Sequence, residues 1–356
     1  MTMSGASDEA PRERIEVLAG VKVVEIGGMG PGPFAGMMLA DHGAEVTVLK
    51  RPDYVKRMYE GRTIFDRGKQ AEVADLKSDA GRARALELIA EADVSIEGFR
   101  PGSAERLRLG PGDCQAVNPR LVYARVTGWG QEGPLAQLGG HDINYIGLAG
   151  YLAQVGRAGS APTPPLNIVG DFGGGGMMLA FGIAAALFDA RRTGRGRIID
   201  CAMVDGVALL MGQYYTPGQR LGPRGTNIFD SGVPFYDVYR TADGGYMAVG
   251  ATGAHLFAAM LKTLGLDAAQ LPDQHDPAGW PAIRDRLQAV FATRSRAEWS
   301  AIFAGVDAAV TPVLDPYEAL HHPQHRARGT FVDVGGYEEP GPAPRIYDLA
   351  AREERT

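Results

Sequence analysis

Two side chains stand out by residue type and setting, His141 and Asp171. They sit in the segments Gly139-Gly140-His141-Asp142-Ile143-Asn144-Tyr145 and Val169-Gly170-Asp171-Phe172-Gly173-Gly174-Gly175-Gly176. A third segment dense in uncommon residues is Val126-Thr127-Gly128-Trp129-Gly130-Gln131-Glu132-Gly133-Pro134. An imidazole and a carboxylate supply a nitrogen base and an oxygen base with different resting protonation, which suits general acid–base chemistry. Each polar residue stands just before an apolar helical run. That predicts helix N-termini, where main-chain N–H groups face a cleft. The bland alternatives are an N-capping carboxylate at Asp171 and a structural histidine at His141. A cap does not call for four glycines after it, since glycine is a poor helix former. Close approach of a ligand does.

The elements that must hold these residues follow from periodicity and punctuation. Val21 to Ile26 is a β-rich run, stopped by Gly27-Gly28-Met29-Gly30-Pro31-Gly32-Pro33. A helix follows with Pro33 in its first turn and Ala35, Met38 and Leu39 on one face. A second strand at 44–49 completes a βαβ unit, which implies a parallel sheet and a right-handed crossover. Helices at 79–92 and 176–191 and strands at 93–96, 121–126 and 197–200 continue the alternation. The prediction is a doubly wound α/β large domain. Beyond residue 206 the pattern changes. A helix at 203–216 leads through a Gly/Pro-rich link at 217–234 to a hairpin, 235–240 and 245–250, turned by Ala242-Asp243-Gly244. Helices at 253–264, 280–292 and 296–304 complete a smaller α+β domain. The expected division is a disordered leader at 1–15, a large domain at 16–202 completed by 328–356, linker helices at 203–227 and a small domain at 228–327.

The glycine-rich turn at 27–33 is not a dinucleotide fingerprint. The pattern G-x-G-x-x-G needs glycine at 33, where this chain has proline, and Pro31 and Pro33 lack N–H groups that would hold a pyrophosphate. The second strand ends in Lys50-Arg51, where NAD sites carry an acid. A cation there fits a phosphate-bearing ligand, and a solvated strand end is the alternative.

Composition narrows the classes. The 356 residues carry a net charge of −6, 45% hydrophobic and 22% charged residues. These are ordinary values for a globular chain, and the acidic balance argues against a nucleic-acid surface. Cys114 and Cys201 match no metal spacing and fit a reducing compartment; Cys114, after Pro111-Gly112-Asp113, is expected in or beside a loop. Neither is expected to be a nucleophile. The first fifteen residues show no apolar h-region, and the apolar stretch Met177 to Phe188 is too short to span a bilayer. A cytoplasmic protein without a membrane or nucleic-acid partner is expected.

The chain resembles the family III CoA-transferase superfamily, and within it the α-methylacyl-CoA racemases. The resemblance covers roughly residues 18–335. It rests on Gly30-Pro31-Gly32-Pro33, Ala74-Asp75-Leu76-Lys77-Ser78, Glu97-Gly98-Phe99-Arg100-Pro101-Gly102, Gly128-Trp129-Gly130-Gln131, Gly140-His141-Asp142-Ile143-Asn144-Tyr145, Gly170-Asp171-Phe172-Gly173-Gly174 and Ala202-Met203-Val204-Asp205-Gly206. It implies an interlocked homodimer, with the active site between one chain's large domain and the other chain's small domain. It implies that CoA, as part of a thioester substrate, is held by Arg51, Ala74, Asp75, Leu76, Lys77, Arg100 and Arg106. No metal or further cofactor is implied.

In the racemases that it resembles, the residues matching His141 and Asp171 are the two bases. In the transferases, the Asp matching Asp171 is a nucleophile that forms acyl anhydrides. The run from His141 to Tyr145 favours the racemases. Racemisation needs a group on each face of the α-carbon and donors for the enolate oxygen, and N–H groups around Asp142 could serve. Gly140, Asp142 and Tyr145 are the expected supports. Met177, Met178, Met203 and Met211 could line an acyl site, or be ordinary core residues. One departure stands out. The racemases pair the catalytic His with a Glu from the other chain's small domain. Here that position, in Ala248-Val249-Gly250-Ala251-Thr252-Gly253-Ala254-His255, is Gly253. The departure leaves open a replacement for the Glu, slow racemisation, or a fold redirected to another acyl-CoA reaction or to binding alone.

Overall fold

The structure, a computed structural model, describes residues 15–52 and 63–349. The expected leader, but for its last residue, lies outside the described residues, as does the end of the tail.

Among the described residues, those up to Ala149 group with Leu166–Leu210 and those from Glu339 into one compact unit, and Gly150–Pro165 with Met211–Glu338 into a second. The sequence assigns 150–165 and 328–338 to the large domain, whereas the structure groups both with the second unit. The first unit is built on a six-stranded sheet in the order β3-β2-β1-β4-β5-β6. In chain order its elements are β1 (Lys22–Ile26), α1 (Pro31–Ala40), β2 (Glu45–Lys50), β3 (Lys69–Val73), α2 (Asp79–Glu91) and β4 (Val94–Glu97). Then come α3 (Ser103–Arg106), α4 (Pro111–Val117), β5 (Val122–Thr127), α5 (Asp142–Leu148), α6 (Met178–Thr193), β6 (Arg197–Ala202) and α7 (Met203–Leu210). Every strand pair in this sheet is parallel. The sheet therefore needs cover on both faces, and period-two alternation supplies apolar side chains to each. Val23, Val46 and Val48 pack with Leu39, Leu179, Ile183 and Leu187 on one face. Val24, Ile26 and Leu49 pack with Ala85, Ile89 and Leu109 on the other.

β3 did not show in the sequence. Lys-Gln-Ala-Glu-Val is polar and half exposed because it is the sheet's outer strand, where burial does not select apolar residues. Cys114 corrects another expectation. It is fully buried in α4 and its thiol donates to the Leu109 carbonyl at 3.3 Å. Burial pushes both thiols up to about 12, so neither is poised as a nucleophile.

The helix after Asp171 begins earlier than expected. Ile168–Met177 is π-helical and runs directly into α6. The joined helix spans Ile168–Thr193, 26 residues, longer than the apolar stretch read from the sequence and long and apolar enough by composition to cross a membrane. Its Leu179, Ile183 and Leu187 are instead part of the sheet's core.

Three of the four glycines also have a different cause from the one inferred. A Cβ on Gly174 would lie 2.9 Å from the Met203 oxygen, one on Gly175 2.9 Å from Pro31 Cβ, and one on Gly176 2.6 Å from the Phe34 ring. Glycine lets this helix press against α1 on one side and α7 on the other. Helix packing, not a ligand, fills that space.

In the second unit, after α8 (Gly212–Tyr215), strands β7 (Asp237–Arg240), β8 (Tyr246–Val249) and β9 (Val310–Pro312) form an antiparallel sheet. Helices α9 (Ala254–Thr263), α10 (Trp280–Phe291) and α11 (Arg296–Phe303) cover it through Phe257, Leu261, Ile283, Leu287, Phe291 and Trp299.

Candidate active site

In a parallel sheet all strands end on one edge, and ligands bind there, at the crevice where strand order reverses. Here the reversal falls between β1 and β4. The loops leaving β1, β4 and β5 meet at it. A Cβ on Gly27 would lie 3.6 Å from the Phe99 ring, and one on Gly98 3.7 Å from the Val126 oxygen.

His141 is the N-cap of α5, and its main-chain N–H donates to Asn144 Oδ1 at 3.0 Å. Its side chain is exposed. Asp142 is buried, 4% exposed, and points the other way. Its Oδ2 accepts the N–H groups of Gly170 at 2.6 Å and Asp171 at 2.8 Å. One carboxylate oxygen thus joins the start of the His141 helix to the start of the Asp171 helix. Gly170 has to be glycine for this contact, since a Cβ there would lie 2.6 Å from Asp142 Oδ2. The N–H groups of Asp142 and Ile143 meet no acceptor among the described residues, as expected for the first turn of a helix.

Asp171 lies in the first turn of its helix, half-buried, rather than at the N-cap. Its Oδ2 accepts from Asn167 Nδ2 at 3.0 Å and lies 3.8 Å from the Cβ position of Gly30, which has φ +69°. Burial raises its pKa above the ordinary aspartate value. The Asn167 hydrogen bond opposes that rise, the Asp142 charge adds to it and His141 counters it. The carboxylate therefore holds a proton more tightly than a surface aspartate. Phe172 packs between Phe34 and Phe65, with centroids 5.1 and 5.5 Å away, and gives the site an apolar wall.

Tyr145 supports the turn before His141. Its ring lies across Gly128 and Gly140, where a Cβ would come within 2.1 and 2.7 Å of it. It meets Trp129 edge-on at 4.8 Å. Burial, helped by the charges of Asp171 and Asp142, pushes its phenol up to about 12, so it stays neutral.

The residues matched to a phosphate-bearing ligand lie along the same sheet edge. Arg51 follows β2 and is exposed. Lys50, its neighbour, is engaged by Asp66 at 2.8 Å. Ala74, Asp75, Leu76 and Lys77 form the turn after β3. Ala74 N–H donates to the Lys50 carbonyl at 2.9 Å and Lys77 N–H to Asp75 Oδ1 at 3.0 Å. Ala74 and Leu76 are buried, which leaves Lys77 to present its charge outward. Arg100 follows β4, and its Nη2 lies 3.4 Å from the Cβ position of Gly139, beside the His141 turn. Arg106 ends α3 and bonds Ser103 Oγ at 2.7 Å.

Of the four methionines, Met203 and Met211 are buried, Met178 packs partly on the core and Met177 is exposed. Gly253 is the N-cap of α9, and the exposed ring of His255 lies 3.2 Å from its Cβ position. An open cavity of about 1330 Å³ lies wholly in the second unit, lined in part by Tyr151, Met211, Tyr214, Phe229 and Tyr236. None of His141, Asp142, Tyr145 or Asp171 lines it. Among the described residues, no group of three or more His, Cys, Asp or Glu is placed to hold a metal ion.

Sequence reasoning missed Asn167. It stands four residues before Asp171, a helical spacing, but the glycine run had hidden that the helix begins there. It also missed the buried Glu97 and Arg125, whose strand positions look like any charged interruption of an apolar run.

The sheet order and the edge site define a doubly wound α/β protein with a small antiparallel-sheet unit. Residues 18–352 match CoA-transferase family III, and the chain belongs to that family. It is 46% identical over 340 residues to an α-methylacyl-CoA racemase of Mus musculus, covering 94% of this chain and 87% of the mouse protein. The racemase of Homo sapiens is 45% identical over 339 residues, with the same coverage. The crystal structure of a CAIB/BAIF family protein from Brucella suis superposes with a TM-score of 0.81 at 26% identity over 94% of both chains.

Proposed function

We propose that this chain is an isomerase that inverts the α-carbon of a 2-methylacyl-CoA thioester by 1,1-proton transfer. The high identity to racemases over most of the chain supports the reading. The observation that carries it is the Asp142 carboxylate, which joins the helix starts bearing His141 and Asp171.

One base removes the α-proton from one face. The C–H electron pair moves into the bond to the thioester carbon, and the carbonyl pair moves onto oxygen. The acid on the opposite face returns a proton to carbon, and the two groups exchange protonation states. Asp171, with its raised proton affinity, suits either half of the cycle. The free N–H groups of Asp142 and Ile143 are the donors assigned to the enolate oxygen. Tyr145 and Gly140 keep the turn in shape. Arg51, Lys77, Arg100 and Arg106 are assigned to the phosphates of CoA and the Ala74-Asp75-Leu76 turn to its remaining contacts. The coenzyme enters as part of the substrate, and no metal or other cofactor takes part.

A second copy of the chain is the proposed partner. Met177, Phe181 and Phe188 leave an apolar stripe exposed along the Asp171 helix, and a partner's surface is the natural cover for it. The interlocked arrangement and a place in cytoplasmic lipid metabolism belong to the same proposal. Two free, buried cysteines accord with a reducing compartment.

The test is deuterium exchange at C2 of a 2-methylacyl-CoA in D₂O. Exchange with loss of chirality is expected, and it should vanish in His141→Ala and in Asp171→Ala. No exchange in a wild-type protein that binds the ester would sink the racemase assignment. Trapping of an acyl anhydride on Asp171 would make the chain a CoA transferase instead.

A further inference from the structure

Beneath the edge site lies a charged group that the proposed chemistry does not use. Arg125, in the middle of β5, is 6% exposed, and Glu97, at the end of β4, is 1% exposed. The two are register partners in adjacent parallel strands. Arg125 Nε donates to Glu97 Oε1 at 2.7 Å. Its Nη1 and Nη2 donate to the two carboxylate oxygens of Glu105 at 2.9 and 3.3 Å. The other oxygen of Glu97 accepts the main-chain N–H of Phe99 at 2.7 Å.

These bonds span a loop. Glu97 is its last strand residue, Glu105 lies in the helix that follows, and Gly98 to Gly102 run between them. The guanidinium grips both ends at once. Within the loop, Phe99 is fixed at its N–H by Glu97, and its ring closes over Gly27. The loop then turns through Gly102, φ +80°, into α3, with Ser103 N–H on the Arg100 carbonyl at 3.0 Å. Of the two exposed cations here, Arg100 lies between the gripped ends and Arg106 directly follows Glu105.

We propose that Arg125 is a positioning residue for coenzyme binding: by tying Glu97 to Glu105 it holds the loop so that Arg100 and Arg106 meet the phosphates. The inference rests on the assignment of those two arginines to CoA. Arg125 is not itself the phosphate ligand. All three of its nitrogens are engaged by carboxylates. The cluster sets two acids against one base, so its own field would repel an anion. What it contributes is geometry, since a planar fork fixes two carboxylates in a way that a lysine ammonium does not.

The variants are Arg125→Lys, which keeps the charge and loses the fork, and Glu105→Gln, which alters the more exposed end. Free CoA is titrated into each by calorimetry, and amide hydrogen exchange is followed over residues 98–106. Both variants should bind free CoA on the order of tenfold more weakly, a size usual for supporting contacts. KM for the thioester should rise with kcat little changed, and exchange should quicken over 98–106 and not elsewhere. If Arg125→Lys fails to fold, Glu105→Gln carries the test. Folded variants that bind CoA like the wild type overturn the inference. A wild-type protein that binds no CoA refutes the coenzyme assignment instead. The loop exchange then decides whether the grip exists, and unchanged exchange overturns it.

Discussion

Asp142 Oδ2 accepts the main-chain N–H of Asp171 at 2.8 Å, and this bond sets where the oxygen base stands relative to the helix that His141 caps. The same oxygen holds the buried Gly170 N–H, so losing the carboxylate frees both donors together. Asp142→Ala should lose about 1–3 kcal/mol of stability, the cost of leaving a buried donor unpaired, and most of its C2 exchange. Asp142→Asn keeps an acceptor oxygen and should fold like the wild type. It also removes a negative charge that raises the Asp171 pKa. The acid limb of its exchange–pH profile should therefore move to lower pH. A limb that stays in place while the rate falls would mean that the charge of Asp142 does not reach Asp171.

Stability should carry the mark of Asp171. Its folded pKa is raised, chiefly by burial, so the native state binds the proton more tightly than the unfolded chain. The stabilisation is complete below the ordinary aspartate pKa and is lost as pH rises through the raised one. Asp171→Asn has no charge to bury. Melting both proteins from about pH 4 to about pH 8 should show the variant gaining on the wild type as pH rises. A constant difference in Tm contradicts the assignment.

Gly253 offers a gain-of-function test. Its backbone, φ −79° and ψ 141°, accepts any side chain, and the nearest obstacle is the exposed ring of His255. If His141 lacks only a carboxylate partner, Gly253→Glu should raise the exchange rate about tenfold, the scale of an orienting contact. An unchanged rate would show that His141 is oriented without one.

The glycine contacts make a graded stability series. A Cβ on Gly206 would lie 2.0 Å from the Gly174 oxygen, whereas one on Gly173 meets nothing nearer than 3.4 Å. Gly206→Ala should cost at least about 1–3 kcal/mol through overpacking. Gly173→Ala should be neutral, or stabilise by up to about 1 kcal/mol through helix propensity. Urea unfolding of both measures the contrast, and equal midpoints would contradict the close packing described.

Much of the sheet was legible in the sequence because its inner strands, such as Val23 to Ile26 and Val122 to Val126, are rich in apolar β-formers apart from one buried charge in each, Glu25 and Arg125. β3 was not, because an outer strand needs no such run. His141 and Asp171 were legible by type and by their place before apolar helices. What joins them was not. Asp142 looks like any helix-start acid until Gly170 and Asp171 fold against it. The glycines after Asp171 misled in an instructive way. Their common property, room for close approach, was read correctly, but the visitor is a neighbouring helix. Sequence spacing records that space is needed, and only the fold says what fills it.

The helix that carries Asp171 in its first turn runs on through the core beside the sheet, where Leu179, Ile183 and Leu187 are buried. A base mounted on such a spine cannot swing to its target as one on a surface loop could. Its reach is decided when the chain folds, and the substrate must come to it. Sequence change along the glycine run is thereby screened twice, once for whether the helices still close and once for where the carboxylate comes to rest.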